Sequence, residues 1–314
     1  MKRELMLVGL LAIVGALLPL AVYPGFALQL LCFWLYAAAF NLLFGYVGLL
    51  SVGHAAFFGA AAYVTGHALK SMGVDAVLAI AMGTAVATSL GVLIGYLSIK
   101  RQGLYFAMIT LALAQVLYFY AVQASWTGGD DGLQSVPRAE AFGSIDLTDD
   151  LRLYAIVLVV VLLGIWTINR IVASPVGEIL RGIKDNEARM ASLGYETGKY
   201  KLFAFAVSAF FCGLAGALKV IVTGVATLTD VSFHSSAEVL LMVLVGGVGT
   251  GLGPIVGASL LLTLQTYLVA LGPWLMVIQG AVFVFCVLAF RDGIVGSISA
   301  ILQKASARSN PNPD

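Results

Sequence analysis

Long apolar runs dominate the chain, and its charged residues fall at a few separated points. No Asp, Glu, Lys or Arg occurs in residues 5–69 or 239–290, and shorter uncharged or nearly uncharged runs cover 76–99, 102–129, 153–169 and 202–218. A helix rises about 1.5 Å per residue and the hydrocarbon core of a bilayer is about 30 Å thick. Each short run therefore suits one crossing, the first long run about three, and the last two or three. The pattern predicts an all-α, polytopic membrane protein of about ten transmembrane helices, some short or broken.

Composition agrees: of 314 residues, 61% are hydrophobic and 11% charged, against about 25% charged in ordinary soluble domains. A water-soluble globule is excluded. With 17 basic and 16 acidic residues the net charge is +1, which gives no ground for a nucleic-acid or acidic partner. The placement of the basic residues sets orientation, because Lys and Arg collect on the cytoplasmic side. Ten spans put Lys2, Arg3, Lys100, Arg101, Arg170, Arg181, Lys184, Arg189, Lys199, Lys201, Arg291, Lys304 and Arg308 inside, and Lys70, Arg138 and Arg152 outside. Both termini are then cytoplasmic, with a permease domain over 1–301 and a tail over 302–314. The first run lacks a clean small-residue cleavage site near Pro19 to Pro24 and reads as a retained anchor, not a signal peptide. Cys32, Cys212 and Cys286 fall in spans and read as apolar packers, with neither a disulfide framework nor a metal site.

Glycine is clustered. GYVGLLSVGHAAFFGAAAY (45–63) and GGVGTGLGPIVGA (246–258) interrupt the two long runs, and Gly48, Gly53 and Gly59 align loosely with Gly249, Gly253 and Gly257. Such clusters allow close helix packing, or they break a helix and leave backbone groups that only protein or a watery cavity can satisfy. Paired breaks in corresponding halves point to a transport pathway. On that reading the pathway is largely apolar and includes Gly48, Ser51, Gly53, His54, Gly249, Thr250 and Gly253, with Ser51, His54 and Thr250 giving the polar contacts. His54 reads as a buried hydrogen-bonding residue ahead of a proton relay. Lys219 and Glu238 read as span-end charges that snorkel, and only secondarily as transport groups.

On the cytoplasmic side, 174–201 is the one substantial soluble loop. Ser174 and Pro175 can start a helix whose Val176, Ile179, Leu180 and Ile183 share one face, Asp185 or Asn186 can cap a second segment, and Gly194 can stop it. A helix this short needs a surface to dock on; its aliphatic face and mixed charges favour a groove on a partner protein over the bilayer. The external loop, 125–152, carries TGGDDGL (127–133), which reads as tight turns more than as a cation site. No G-x-x-x-x-G-K-[ST] phosphate cradle occurs, so energy comes from elsewhere.

The 45–63 and 246–258 segments, RGIKDNEARMASLGY (181–195) and the TGG-DGL pattern together resemble the permease subunits of bacterial branched-chain amino acid ABC importers, of the LivM type. The likeness runs from about residue 28 to 292. It implies a non-enzymatic permease of the inner membrane that needs no cofactor of its own. Its implied partners are a second permease of the LivH type, two ATPase subunits that bind the ATP, and an extracytoplasmic substrate-binding protein. Arg181, Lys184, Asp185, Asn186, Glu187, Ala188, Leu193 and Gly194 would then lie in the stretch that couples to an ATPase groove. Relatives with these motifs also carry urea and other small solutes, and an ion-coupled secondary transporter using His54, Lys219 or Glu238 is the rival of a different class. A membrane scaffold leaves the glycine breaks without explanation.

Overall fold

The structure is a computed structural model that describes residues 2–138, 149–268, 272, 274–289 and 293–297. The centre of the external loop, Arg291 and the tail 302–314 lie outside them. Among the described residues there are ten apolar helices, one amphipathic helix and no strand. They run α1 Lys2–Ala21, α2 Pro24–Asn41 with a π-turn Leu42–Val47, α3 His54–His67 with a π-turn Ala68–Met72, α4 Ala76–Ser98, α5 Leu104–Gln123, α6 Asp150–Val172, the amphipathic α7 Pro175–Ser192, α8 Thr197–Thr223, α9 Phe233–Gly246, α10 Gly253–Tyr267 and α11 Trp274–Ala289. Length and composition let 24–47, 76–98, 104–123, 150–172 and 197–223 cross a membrane alone. At 14 and 15 residues, α9 and α10 reach only about 21 and 22 Å.

Cross-chain contacts sort the helix connections to two ends of the bundle. At one end, Lys184 Nζ of α7 donates to the Gly45 carbonyl (2.7 Å), Asn41 Nδ2 donates to the Thr250 carbonyl (3.0 Å), and Gln102 Nε2 donates to Glu187 (2.5 Å). This α7 end thus gathers the α2–α3, α4–α5 and α9–α10 connections. At the opposite end, Leu133 and Ala226 form a two-bond antiparallel bridge, Lys70 Nζ donates to the Gln134 carbonyl (2.8 Å), and the Phe26 and Tyr267 rings pack edge to face. The chain changes ends at each apolar helix, which is the threading that three crossings in each long run require.

Two helices occupy the centre: α8 packs on α2, α3 and α4, and α2 also packs on α6, α9 and α10. Lipid tails give no hydrophobic drive for helix association, so close backbone approach must supply it. Along α4, Ala79, Gly83, Ala87 and Gly91 recur every fourth residue and are buried. A Cβ at Gly91 would fall on Ala209 of α8, and one at Gly83 on Thr65 of α3. The other face of α4 presents Leu93, Tyr96 and Leu97 outward.

The short helices are short because they begin inside the bundle. His54, the first residue of α3, bonds Ser208, eleven residues along α8 and so about 16 Å from its start. Residues 48–53 descend from the α7 end to that depth. From the opposite end, 224–232 descends likewise, so that Val231 and the backbone of Asp230 lie against Gly59 in mid-α3. The first turns of α3 and α9 meet, with Ala55 N donating to Ser236 Oγ at 2.9 Å. The segment that corresponds to the first glycine break is therefore 224–232, between the other long central helix and its short successor. The expected partner, 246–258, is a tight turn between antiparallel helices. A Cβ at Gly246 would fall on the Gly253 carbonyl and one at Gly257 on that of Met242, so the packing reading holds for this cluster and the helix-break reading for the first.

Lys219 and Asp230 close the descent at 224–232. Both are buried, with Lys219 Nζ 2.6 Å from Asp230 Oδ2, which also accepts from Thr227 N and Oγ1. The expectation that Lys219 snorkels is thus replaced by an internal ion pair, because the turn brings a carboxylate inward to meet the ammonium. Breaking a buried pair leaves one uncompensated charge and costs about 3–5 kcal/mol. Lys219→Met should markedly lower the melting temperature of the purified protein in detergent, and adding Asp230→Asn should recover part of the loss. A single variant melting with the wild type would refute the assignment.

Candidate functional site

Breaking α2 creates a backbone problem, since terminal carbonyls and amides need partners. The π-turn ends at Gly48, whose φ of +78° lets its amide and that of Leu49 both return to the Leu43 carbonyl. That left-handed geometry is inexpensive only for glycine. Gly45 serves by its missing side chain: a Cβ would fall on Asn41 Oδ1 and lie 2.6 Å from the Gly249 amide. With that space open, Asn41, only 3% exposed, takes the Gly249 amide on Oδ1 (2.9 Å) and gives Nδ2 to the Thr250 carbonyl. The two glycine clusters thus meet at the α7 end, where Asn41 of α2 satisfies two backbone groups of the second.

Deeper in the bundle the expected polar contacts are internal. Ser51 Oγ accepts the Gly53 amide (3.4 Å), and Thr110 Oγ1 of α5 accepts that of Val52 (3.3 Å). Gly53 lies against the Thr110 carbonyl, where a Cβ would come to 2.5 Å. Thr250 Oγ1 donates to the Gly247 carbonyl and accepts the Gly253 amide, both within its own turn. Ser208 Oγ donates to the Ala39 carbonyl at 2.6 Å and lies 2.9 Å from His54 Nε2. The single hydroxyl proton is then spent on Ala39, so His54 must donate from Nε2. His54 therefore ties α2, α3 and α8 together, its ring packed among Phe40, Phe57 and Phe205. Glu238 is half-buried and accepts from Gln265 Nε2 (2.8 Å), with His234 at 3.3 Å. An apolar cavity of about 280 Å³ at the opposite end, bounded by Tyr63, Leu90, Leu117, Trp126 and Val231, shares none of the expected pathway residues.

At the α7 end the cytoplasmic-loop expectations hold in outline. Pro175 starts α7, Asn186 breaks it and caps the second segment by accepting the Arg189 amide (3.0 Å), and Gly194 ends it at φ +91°. Ser174 stands at the N-cap position as expected, but its hydroxyl donates back to the Ile171 carbonyl and makes no side-chain cap bond to α7. The apolar face also docks elsewhere than expected. Leu180 and Ile183 are buried against the chain's own bundle, which satisfies the short helix without a partner groove. Arg181 lies over the Tyr46 ring at 5.4 Å. The surface left open is the second segment, with Ala188 exposed and Leu193 65% exposed.

Lys199 and Lys201, expected in the loop, belong to the first turns of α8. Lys201 is buried and pairs with Glu187, which also accepts from Gln102 and from Thr197 Oγ1 (2.9 Å). Asn41, Gln102, Thr110 and Ser208 are the residues that reasoning from charges and glycines missed, and the burial of Lys201 was missed with them. The available signal was neutral polar side chains inside apolar runs, where each needs a partner.

If Gly45 is present to admit Gly249, a single methyl should matter there. Gly45→Ala should lower the melting temperature by an amount equivalent to about 1–3 kcal/mol of overpacking. Gly198→Ala, where a Cβ meets nothing within 4 Å, should leave it unchanged or slightly raised. Equal melting of both variants would remove the close-approach argument.

Comparison with known proteins places this architecture. No solved structure matches the chain significantly. The "High-affinity branched-chain amino acid transport system permease protein LivM" of Salmonella typhimurium (strain LT2) is 26% identical over 94% of this chain and 75% of the relative, and its Escherichia coli (strain K12) counterpart matches to the same extent. The family profile described as branched-chain amino acid transport system / permease component matches residues 23–287. That span runs from the start of α2 into α11 and takes in both glycine clusters and α7, and the chain belongs to this family of permease components.

Proposed function

We propose that the chain is a transmembrane subunit of an ABC importer that moves branched-chain amino acids into the cytoplasm, with ATP bound and hydrolysed by separate subunits. The observation that carries this reading is the build of the α7 end. An amphipathic helix is fastened to the bundle by its own apolar face and leaves Ala188 and Leu193 of its second segment, 186–194, exposed near the meeting of the two glycine clusters. A segment held this way can receive a force from outside and deliver it to the helix breaks.

Lys100, Arg101, Arg170, Arg181, Lys184 and Arg189 lie at this end, so the positive-inside rule makes it cytoplasmic and suits it to ATPase subunits. Both termini would then be cytoplasmic. Ala188, Leu193 and Gly194 form the docking surface in this reading, and Arg181, Lys184, Asp185, Asn186 and Glu187 connect it to the bundle. The helix break at Gly48, Ser51, Gly53 and His54, with the turn at Gly249, Thr250 and Gly253, borders the route and moves with the transport cycle. A second permease completes the channel, and an extracytoplasmic binding protein delivers substrate to the opposite end.

The complete importer, reconstituted in proteoliposomes with the binding protein outside and ATP inside, should take up leucine. Valine should compete and urea should not, and uptake should survive collapse of proton and sodium gradients. Uptake by this chain alone that follows an ion gradient would overturn the proposal in favour of a secondary carrier, and competition by urea alone would move it to another solute.

A further inference from the structure

The Glu187 carboxylate is an internal junction in a stretch that otherwise faces outward. It lies just past the α7 kink at Asn186 and holds three side chains from two other elements at once. Gln102 Nε2 of the α4–α5 turn donates to Oε2 at 2.5 Å, Thr197 Oγ1 at the start of α8 donates to Oε1 at 2.9 Å, and Lys201 Nζ of α8 completes the set as an ion pair. The Lys201 side chain is 3% exposed and that of Glu187 26%. A buried ammonium follows its carboxylate, since separating them strands a charge. Glu187 is thus turned toward its own chain, while Ala188 and Leu193 face out.

The gripped helix α8 and the helix α5 that follows the gripped turn lead to the same place. Two turns beyond Lys201, α8 presents Ser208, the partner of His54 at the start of α3. Gln102 stands two residues before α5, whose second turn presents Thr110, with its hydroxyl holding the Val52 amide and its carbonyl abutting Gly53. One arm therefore ends on the first residue of α3 and the other on the two residues before it. Helices are stiff over two turns, so a displacement of Glu187 is delivered to the helix break along α8, and through the turn at Gly103 to α5 on the other side.

We propose that Glu187, with Lys201 and Gln102, is a positioning junction that converts movement of the α7 second segment into movement of the break at 51–54, and that it makes no contact with the ATPase subunits. The inference rests on the importer reading above. It separates two roles that the 181–194 stretch would otherwise share: docking on Ala188 and Leu193, transmission through Glu187.

The test uses the complete importer in proteoliposomes and reads three quantities: ATPase subunits retained with the permease, ATP hydrolysed, and leucine taken up per ATP. Glu187→Gln should retain the ATPase subunits and their hydrolysis, while uptake per ATP falls at least tenfold. Gln102→Ala should lower the same ratio by a smaller factor, because it removes one arm only. The exchange Glu187→Lys with Lys201→Glu restores opposite charges and should recover at least half of the wild-type ratio, which a general folding defect would not allow. Leu193→Arg should act differently, losing the ATPase subunits themselves. Wild-type uptake per ATP in Glu187→Gln, or loss of the ATPase subunits from it, would overturn the junction. Absence of ATP-driven uptake in the wild type would instead overturn the importer reading.

Discussion

A backbone that stops being helical inside an apolar bundle must find partners for its amides and carbonyls within the protein. The rest of this structure follows from how that demand is met. Neither α3 nor α9 starts at an end of the bundle. Their first turns meet inside it, the segments that lead down to them are lined with short hydroxyl side chains and one carboxylate, and a carboxamide serves the turn after α9. Thr110, Ser51 and Ser236 take amides of 52–55, Asp230 takes that of Thr227, and Asn41 takes that of Gly249. Each acceptor is carried by a helix or turn other than the one it completes, or lies within a few residues of its donor. Breaking the helices has therefore knitted the halves together.

Two kinds of glycine make this compact. At Gly48 the backbone adopts a left-handed turn, and at Gly45, Gly91, Gly246 and Gly257 a neighbouring backbone or side chain fills the space of the missing Cβ. The first allows the chain to turn inward. The second lets α4, α8, α9 and α10 approach closely where burial of apolar surface offers no gain over lipid. Around this core α7 is a fastening: Leu180 and Ile183 seat it, Lys184 reaches the Gly45 carbonyl, and Glu187 grips α8 and the α4–α5 turn. Function follows from position, since the exposed second segment of α7 is joined by short, polar links to the places where helices α2 and α9 end.

Much of the architecture was legible in the residues. The threading came from run length against bilayer thickness, and the two α7 segments from Pro175, Asn186 and Gly194. The ends of α8 were not legible, because Lys199 and Lys201 read as loop charges until Glu187 supplies a buried partner for Lys201. The correspondence of the halves was also misread: glycine content pointed to 246–258, whereas the descent that mirrors 48–53 is 224–232. Its marker is the Lys219 to Asp230 pair, which periodicity does not reveal. Of the expected pathway residues, Gly48, Ser51, Gly53 and His54 cluster at one break and Gly249, Thr250 and Gly253 at a separate turn, linked through Asn41. An asparagine alone in a long apolar run was the available clue, and its partners lie over 200 positions away.

The central claim is that Asn41 of α2 closes the backbone of the second glycine cluster where the two clusters meet at the α7 end, and amide hydrogen exchange in detergent or nanodiscs tests it most directly. The amides of Gly247, Gly249 and Thr250, each bonded within the protein, should slow exchange across 245–251 in the wild type. Asn41→Ala should speed exchange there and in 42–48 while leaving 76–98 unchanged. Exchange of 245–251 at the rate of an exposed loop in the wild type, or no response to Asn41→Ala, would contradict the account.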